Sequence, residues 1–193
     1  MWTLLICSAT VAVFSSPALE SALIYDRAAI AGGQWWRFIT GSLVHHSTTH
    51  FIYDVGAFLV AGTLIEARRH SHFGTLCLAA AVAIGAVLFF ANPGMRYYGG
   101  LSGIVTAAVV YLCLCGLRET GWWRRLCASV LVLMAVKIAL EFALGETLAS
   151  ANSQSFVPVP LSHATGAVVG LLLFFLVRST CPAANVTNGR SED

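Results

Sequence analysis

A serine and a histidine lie where they could act together as nucleophile and base. Ser102 stands in a glycine-rich turn between two apolar stretches, and His163 lies near the start of a later apolar stretch. Because hydrocarbon makes polar side chains costly, a serine and a histidine at membrane depth require a reason beyond packing. A histidine that takes the proton of a serine hydroxyl activates it for attack on a carbonyl. We therefore predict hydrolysis of peptide bonds within a membrane.

The turn that contains the serine favours this chemistry. It comprises Gly100, Leu101, Ser102 and Gly103, and we predict that a helix begins at Leu101 or Ser102. The first N–H groups of a helix lack intrahelical partners and lie at the positive end of its dipole. They could therefore stabilise the oxyanion that forms when the serine attacks a peptide. Taken alone, however, a Gly-x-Ser-Gly string more often allows close helix packing.

The surroundings of His163 shift the interpretation from packing toward catalysis. Gly166 and Gly170 follow at spacings that place small residues along one face of this helix. On the helix of the serine, Gly103 and Ala107 form a similar surface. A close pairing of these two faces would bring the histidine within hydrogen-bond reach of the serine.

A further polar group precedes the second apolar segment. His50 and Asp54 are four residues apart, so at the outer start of a helix they share one face and can interact. His50 could donate a hydrogen bond to the oxyanion, and the carboxylate would orient it or keep it protonated. His46 and His50 also have the spacing of zinc ligands, but the Glu of an H-E-x-x-H metalloprotease is missing. We predict neither a metal nor an organic cofactor, because serine chemistry needs none.

Membrane-spanning helices must position these residues. The chain is 58% hydrophobic and 10% charged, with a mean hydropathy of +0.78, which is incompatible with a small water-soluble domain. Windows of about twenty residues locate apolar segments at roughly 2–24, 48–66, 73–91, 101–117, 122–145 and 159–177. We predict an all-α bundle of six transmembrane helices. Trp35, Trp36 and Arg37 are expected to anchor an interfacial loop between helices 1 and 2 at headgroup depth.

The arginines predict the orientation of this bundle. Most of them fall on the side shared by the two termini: Arg68, Arg69, Arg118, Arg124, Arg125, Arg178 and Arg190. Those on the other side are Arg27, Arg37 and Arg96. The positive-inside rule therefore places the termini in the cytoplasm and both Ser102 and His163 near the outer face. A net charge of +2 gives no reason to expect nucleic acid as a partner.

The remaining features predict packing or disorder. The first segment has small residues like those near a signal-peptide cleavage site, but no basic residue precedes its apolar region, so we expect a retained span. The cysteines lack metal-binding spacing and are expected to be packing residues: Cys7, Cys77, Cys113, Cys115, Cys127 and Cys181. We expect one domain over residues 1–178 and a disordered, polar cytoplasmic tail over residues 179–193.

In combination and order, these residues resemble the rhomboid intramembrane serine proteases. The resemblance extends from about Gln34 to Leu176. The matching residues are Trp36, Arg37, His45, His50, Gly100 to Gly103, His163, Gly166 and Gly170. Rhomboids use a Ser-His dyad without an acidic third member, so the resemblance implies Ser102 as nucleophile and His163 as general base. It also implies single-span membrane proteins as substrates.

One position of the implied oxyanion hole departs from the family. In rhomboids this hole combines the serine backbone N–H with side chains at the positions of His50 and Asp54, and the second is usually Asn. An amide donates hydrogen bonds, whereas an ionised carboxylate only accepts them and would repel the oxyanion. Our hypothesis is that Asp54 is either protonated or pairs with His50 to make a cationic donor.

The chain is also similar to the bacterial rhombosortase branch of the family. The similar features are the short six-helix form and Tyr25-Asp26-Arg27 before the segment Gly33 to Arg37. This resemblance implies an enzyme of the bacterial inner membrane whose site opens to the periplasmic side. Its substrates would be secreted proteins with a C-terminal Gly-Gly motif, a hydrophobic helix and a basic tail. A general rhomboid would instead cleave single-span proteins near small residues.

A charged pair lies inside the fifth apolar segment. Lys137 and Glu141 are one helical turn apart and can pair within the membrane. We expect them to form a neutral, hydrogen-bonded link to neighbouring helices rather than a substrate-recognition site.

Two other classes of function remain open. A non-catalytic rhomboid-like protein would bind membrane clients without cutting them, although such proteins commonly lack the serine or the histidine. A transporter could use intramembrane charges for proton or ion movement, but the sequence shows no paired interrupted helices of the inverted-repeat kind.

Overall fold

The computed structural model describes residues 1–70, 72–144 and 159–178, which form a mostly helical bundle. In chain order its helices are α1 (Trp2–Phe14), α2 (Pro17–Leu23), α3 (Arg27–Ala31), α4 (Arg37–Thr40), α5 (Thr48–Ala67), α6 (Phe73–Ala91), α7 (Ser102–Gly116), α8 (Gly121–Leu144) and α9 (Pro160–Val177). A 3-10 turn covers Gly41–Leu43, and two short strands are β1 (Tyr25–Asp26) and β2 (Tyr97–Tyr98). The apolar segments predicted from residue 48 onward therefore each correspond to one helix.

The number of membrane spans differs from the simple prediction. Four described helices, α5, α6, α8 and α9, are long and apolar enough to cross a bilayer, and the bent pair of α1 and α2 would make a fifth. The apolar helix α7 has 15 residues, which gives it a length of about 22 Å, shorter than a hydrocarbon core of about 30 Å. Almost every residue of α7 is buried, because α5, α6, α8 and α9 all pack around it. The helix that begins with Ser102 is thus the centre of the bundle.

The first predicted segment is two helices rather than one. Between α1 and α2 the chain bends by 110°. Ser16 is the N-cap of α2, with its side chain accepting a hydrogen bond from the Leu19 N–H, and Pro17 is the first helical residue. Proline cannot supply the N–H that a continuous helix would need there, and serine favours a new helix start. Residues 2–24 therefore form one apolar stretch in the sequence but fold as two helices with a sharp bend between them.

The strands tie the interfacial loop to the turn before α7. They pair antiparallel, with Tyr25 opposite Tyr98 and Asp26 opposite Tyr97. The sequence analysis did not predict this pairing, because two-residue strands leave no periodic signal. Its effect is to fix the backbone just before Gly100 from outside the helical core.

Arg37 holds the interfacial loop from within. It is buried, and its guanidinium donates to the carbonyls of Ile24 and Ser21 and to the side chain of Gln34. The expectation that it anchors the loop at lipid headgroups is therefore wrong. Trp35 and Trp36 are exposed, as that expectation requires of them.

The 19 residues of α6 separate two arginine-containing segments. Before α6, Arg68 pairs with Glu119 at 2.5 Å. After α6, the backbone carbonyl of Arg96 accepts a hydrogen bond from the backbone N–H of Arg27 at 3.0 Å. Arg68 and Arg96 therefore lie beyond opposite ends of α6. Arg190, Cys181 and the tail predicted at 179–193 lie outside the described residues, and the remaining cysteines are buried, as expected of packing residues.

Candidate active site

Glycines bring α7 and α9 into backbone contact. A Cβ atom added at Gly166 would overlap the Gly103 carbonyl oxygen, and one added at Gly170 would lie 2.5 Å from the Ala107 carbonyl oxygen. Real Cβ atoms essentially never approach that closely, so only glycine allows the two helices this separation. The close pairing of small-residue faces predicted from the sequence is confirmed.

This contact brings the start of α7, which carries Ser102, against the start of α9, which carries His163. A Cβ atom at Gly103 would lie 3.0 Å from the carbonyl oxygen of Ser162. Gly103 follows Ser102 and Ser162 precedes His163, so the backbone next to the serine lies close to the backbone next to the histidine. Ser102 is half-buried, whereas His163 is buried. The arrangement leaves the hydroxyl partly accessible and shields the imidazole.

The turn before Ser102 is held from several directions. The helix α7 begins at Ser102, as predicted, and its N-cap Leu101 makes no side-chain capping hydrogen bond. Gly100 has φ +145°, a conformation that side chains rarely adopt, and its carbonyl accepts a hydrogen bond from the Tyr98 hydroxyl at 3.1 Å. Burial raises the pKa of Tyr98, which keeps this hydroxyl a donor. The first N–H groups of α7 are therefore presented by a fixed turn and lack a side-chain cap.

His45, His50 and Asp54 form a group that we call the Asp54 cluster. Asp54 Oδ2 lies 3.1 Å from His50 Nε2, which confirms that these two residues interact. The same oxygen lies 3.1 Å from His45 Nε2, a contact that the sequence analysis did not predict. A Cβ atom at Gly100 would lie 2.8 Å from His50 Cε1, so the cluster packs directly against the turn.

His45 also reaches the backbone at the start of α7. The Leu101 N–H lies 3.4 Å from His45 Nε2. When Nε2 carries the proton, His45 donates to Asp54 and cannot accept from Leu101. The Leu101 N–H is then available to the site, so the protonation of this cluster determines which donors face a bound group.

The Asp54 cluster also has the atom types of a metal site. One possible ligand atom from each of its residues lies within 4.8 Å of the others, and imidazole with carboxylate suits several divalent metals. His46 and His50, the possible zinc pair in the sequence, do not both belong to this cluster. His46 is exposed and contacts Glu20 at 3.3 Å instead.

Lys137, Glu141 and His163 form a second group, the Glu141 cluster. Lys137 Nζ lies 2.5 Å from Glu141 Oε1, which confirms the predicted pair. Glu141 Oε2 lies 2.5 Å from His163 Nδ1, so the pair does link α8 to a neighbouring helix, as expected. The sequence did not reveal that the linked side chain is His163, the predicted base. An acidic residue within an apolar segment was the available signal, but its partner on another helix could not be read from spacing.

Comparisons with known proteins indicate the family of this chain. A model of the Rhomboid domain matches residues 32–180. The chain is 26% identical over 145 residues to Rhomboid protease GlpG from Pectobacterium atrosepticum, an alignment that covers 74% of this chain and 48% of that protein. It is 30% identical over 126 residues to Rhomboid protease AarA from Providencia stuartii, covering 52% of this chain and 44% of that protein. The chain thus spans about half the length of these curated relatives.

Proposed function

We propose that this chain, which belongs to the rhomboid family, is an intramembrane serine protease with Ser102 as nucleophile and His163 as general base. The observation that carries the proposal is the glycine contact between α7 and α9, which brings the two helix starts that carry these residues against each other. The names of the relatives, both rhomboid proteases, support the same activity.

The reaction proceeds by acyl transfer to the serine. The Ser102 oxygen attacks the carbonyl carbon of the peptide while its proton passes to His163 Nε2, and the carbonyl electron pair moves onto oxygen. When the intermediate collapses, the C–N bond breaks and His163 returns the proton to the leaving nitrogen. Water that enters from the outer face then hydrolyses the ester, with His163 again acting as base. No metal or organic cofactor takes part.

The oxyanion is stabilised by the turn and by the Asp54 cluster. The Ser102 N–H is a donor at the positive end of α7. His50 is the side-chain donor, because it packs directly against Gly100. Asp54 accepts hydrogen bonds from both imidazoles, which orients them and favours a cationic one. In this role the carboxylate, which replaces the usual Asn, does not need to contact the oxyanion that it would repel. Gly100, Leu101 and Gly103 support the site through the backbone.

The substrate class that we propose is that of the rhombosortase branch. It consists of secreted proteins that end in a Gly-Gly motif, a hydrophobic helix and a basic tail. The segment from Tyr25 to Arg37, which carries the resemblance, is joined to the site by the pairing of β1 with β2. That connection gives the segment a route to influence which peptide reaches Ser102.

We place the protein in the bacterial inner membrane as a six-span bundle with cytoplasmic termini. The separation of Arg68 and Arg96 by the length of α6 supports this orientation. In it, α1 with α2 supplies the first span, and α7 crosses as a short central helix surrounded by protein. The site then opens to the periplasmic side.

Cleavage in liposomes tests this proposal. The protein is reconstituted with a single-span substrate that carries Gly-Gly, a hydrophobic helix and a basic tail, and the products are identified by mass. We expect cleavage by the wild type and none by Ser102→Ala. Ser15→Ala is the matched control, because Ser15 is exposed and its hydroxyl only contacts the Val11 carbonyl of its own helix.

The same experiment separates the alternatives. Replacing Gly-Gly by Leu-Leu should prevent cleavage if the substrate class is the proposed one, whereas continued cleavage would indicate a general rhomboid. A substrate that binds wild type but stays intact would favour a non-catalytic, client-binding protein.

A further inference from the structure

We infer that Glu141 is a positioning residue for His163, so that the chemistry depends on a Ser-His-Glu group rather than on a dyad. The inference rests on the proposed roles of Ser102 and His163. It differs from what the family resemblance implies, because rhomboids use their histidine without an acidic partner.

The contact between Glu141 and His163 requires a proton between them. Glu141 Oε2 and His163 Nδ1 are 2.5 Å apart. A carboxylate oxygen and an unprotonated ring nitrogen would each direct a lone pair at the other and repel. Because the Lys137 ammonium on Oε1 stabilises the carboxylate form of Glu141, the proton lies on Nδ1 and is donated to the carboxylate. The other ring nitrogen, Nε2, is then left with the lone pair that a general base needs.

Lys137 determines the charge and orientation of Glu141. Glu141 is fully buried, with a side-chain exposure of 0%, whereas Lys137 keeps 34% of its side chain exposed. A buried carboxylate is stable only with partners, and the Lys137 ammonium supplies one at Oε1. The ammonium also lies 3.3 Å from His163 Nδ1, but as a pure donor it cannot bind a protonated Nδ1. Its bond is therefore to the carboxylate, which leaves the second oxygen for the histidine.

During the reaction His163 becomes an imidazolium. Its Nδ1–H remains on Glu141 Oε2, so the new positive charge forms beside a carboxylate that is already in place. Such preorganised charge is most effective where water is excluded. Glu141 thus supports both the tautomer of the resting base and the cation that forms from it.

The test compares the rates at which a fluorophosphonate probe labels variants of the full chain. In Glu141→Gln, Lys137 will bind the amide oxygen and leave the NH2 group facing His163 Nδ1. That nitrogen must then accept, which moves the proton to Nε2 and removes the base. We expect a rate up to about 10⁴-fold below wild type, the loss that a wrong histidine tautomer causes in serine proteases. Glu119→Gln is the matched control, because Glu119 is paired with Arg68 away from the site.

A second variant separates positioning from packing. In Glu141→Gln with Lys137→Met, the amide is free to turn its oxygen toward Nδ1 and restore the correct tautomer. We expect the double variant to be labelled faster than Glu141→Gln alone. A purely structural role predicts no such recovery, since the double variant has lost one more buried polar contact.

The outcomes distinguish this inference from the proposed function. Labelling of wild type and Glu141→Gln at equal rates, or no recovery in a folded double variant, overturns the inference and leaves the protease assignment intact. No labelling of folded wild type overturns the protease assignment, and the inference falls with it. If Glu141→Gln does not fold, nitrogen NMR of His163 in the wild type decides: a proton on Nδ1 supports the inference, and a proton on Nε2 alone overturns it.

Discussion

The Asp54 cluster and the Glu141 cluster each contain a buried carboxylate between two basic side chains. Asp54 contacts two imidazoles, each of which has ring nitrogens that can donate or accept a hydrogen bond. Glu141 contacts one imidazole and one ammonium, and the ammonium can only donate hydrogen bonds. We therefore interpret the Asp54 cluster as an adjustable group that meets a developing anion. The Glu141 cluster is a fixed group that holds one base in one state.

Of the tests that compare the two clusters, a substitution that increases the distance between them should cause the largest loss of probe labelling. Gly166→Ala adds a Cβ atom that overlaps the Gly103 carbonyl, so it should push α9 and the Glu141 cluster away from Ser102 and leave the Asp54 cluster in place. We expect probe labelling to fall by about 10²-fold, since misplaced catalytic groups are this costly, with a loss of about 1–3 kcal/mol of stability from overpacking. The measurements are the labelling rate and thermal unfolding in detergent.

Gly56→Ala is the matched control for that substitution. Gly56 lies within α5 and an added Cβ atom would meet nothing within 4 Å. Alanine there should leave labelling unchanged and favour the helix slightly. If Gly166→Ala is labelled as rapidly as Gly56→Ala, the glycine contact does not position the site.

Asp54→Asn should have a smaller effect on the maximal labelling rate and should also change its pH dependence. Because the amide can donate to the oxyanion, as the usual family residue does, we expect the maximal labelling rate to stay within about 10-fold of wild type. The loss of the carboxylate should shift the pH profile, because the charge that faces the two imidazoles is removed. Labelling rates between pH 5 and 9 provide the measurement. A profile identical to that of wild type would show that Asp54 does not control the charge of its cluster.

Removal of metal ions by a chelator should have the smallest effect on the labelling rate. The Asp54 cluster has the atom types of a metal site, whereas the Glu141 cluster contains an ammonium that cannot bind a metal. Because serine chemistry needs no metal, we expect labelling of the protein to be unchanged after treatment with EDTA. A loss that added zinc restores would assign the Asp54 cluster to a metal and remove it from the oxyanion hole.

The helices could largely be predicted from the sequence, because hydrocarbon imposes long apolar runs on spanning segments. The predicted segments at 48–66 and 73–91 correspond closely to α5 (Thr48–Ala67) and α6 (Phe73–Ala91). The break before Pro17 was not predicted, since a helix-starting signal inside an apolar stretch does not change its hydropathy.

The site could be predicted only where its residues share an element. His50 with Asp54 and Lys137 with Glu141 are each one turn apart on a helix, so spacing alone predicted both contacts. The contacts of His45 with Asp54 and of Glu141 with His163 join different segments. They depend on how α8 and α9 pack and on the path of the chain before α5, and no local pattern encodes either.

The most direct test of the account is fluorophosphonate labelling of the purified, detergent-solubilised protein, followed by intact mass and mapping of the modified peptide. If His163 activates Ser102, wild type gains one probe at Ser102, and Ser102→Ala and His163→Ala gain none. If folded wild type takes up no more probe than these variants, Ser102 is not activated by His163 and the account is contradicted.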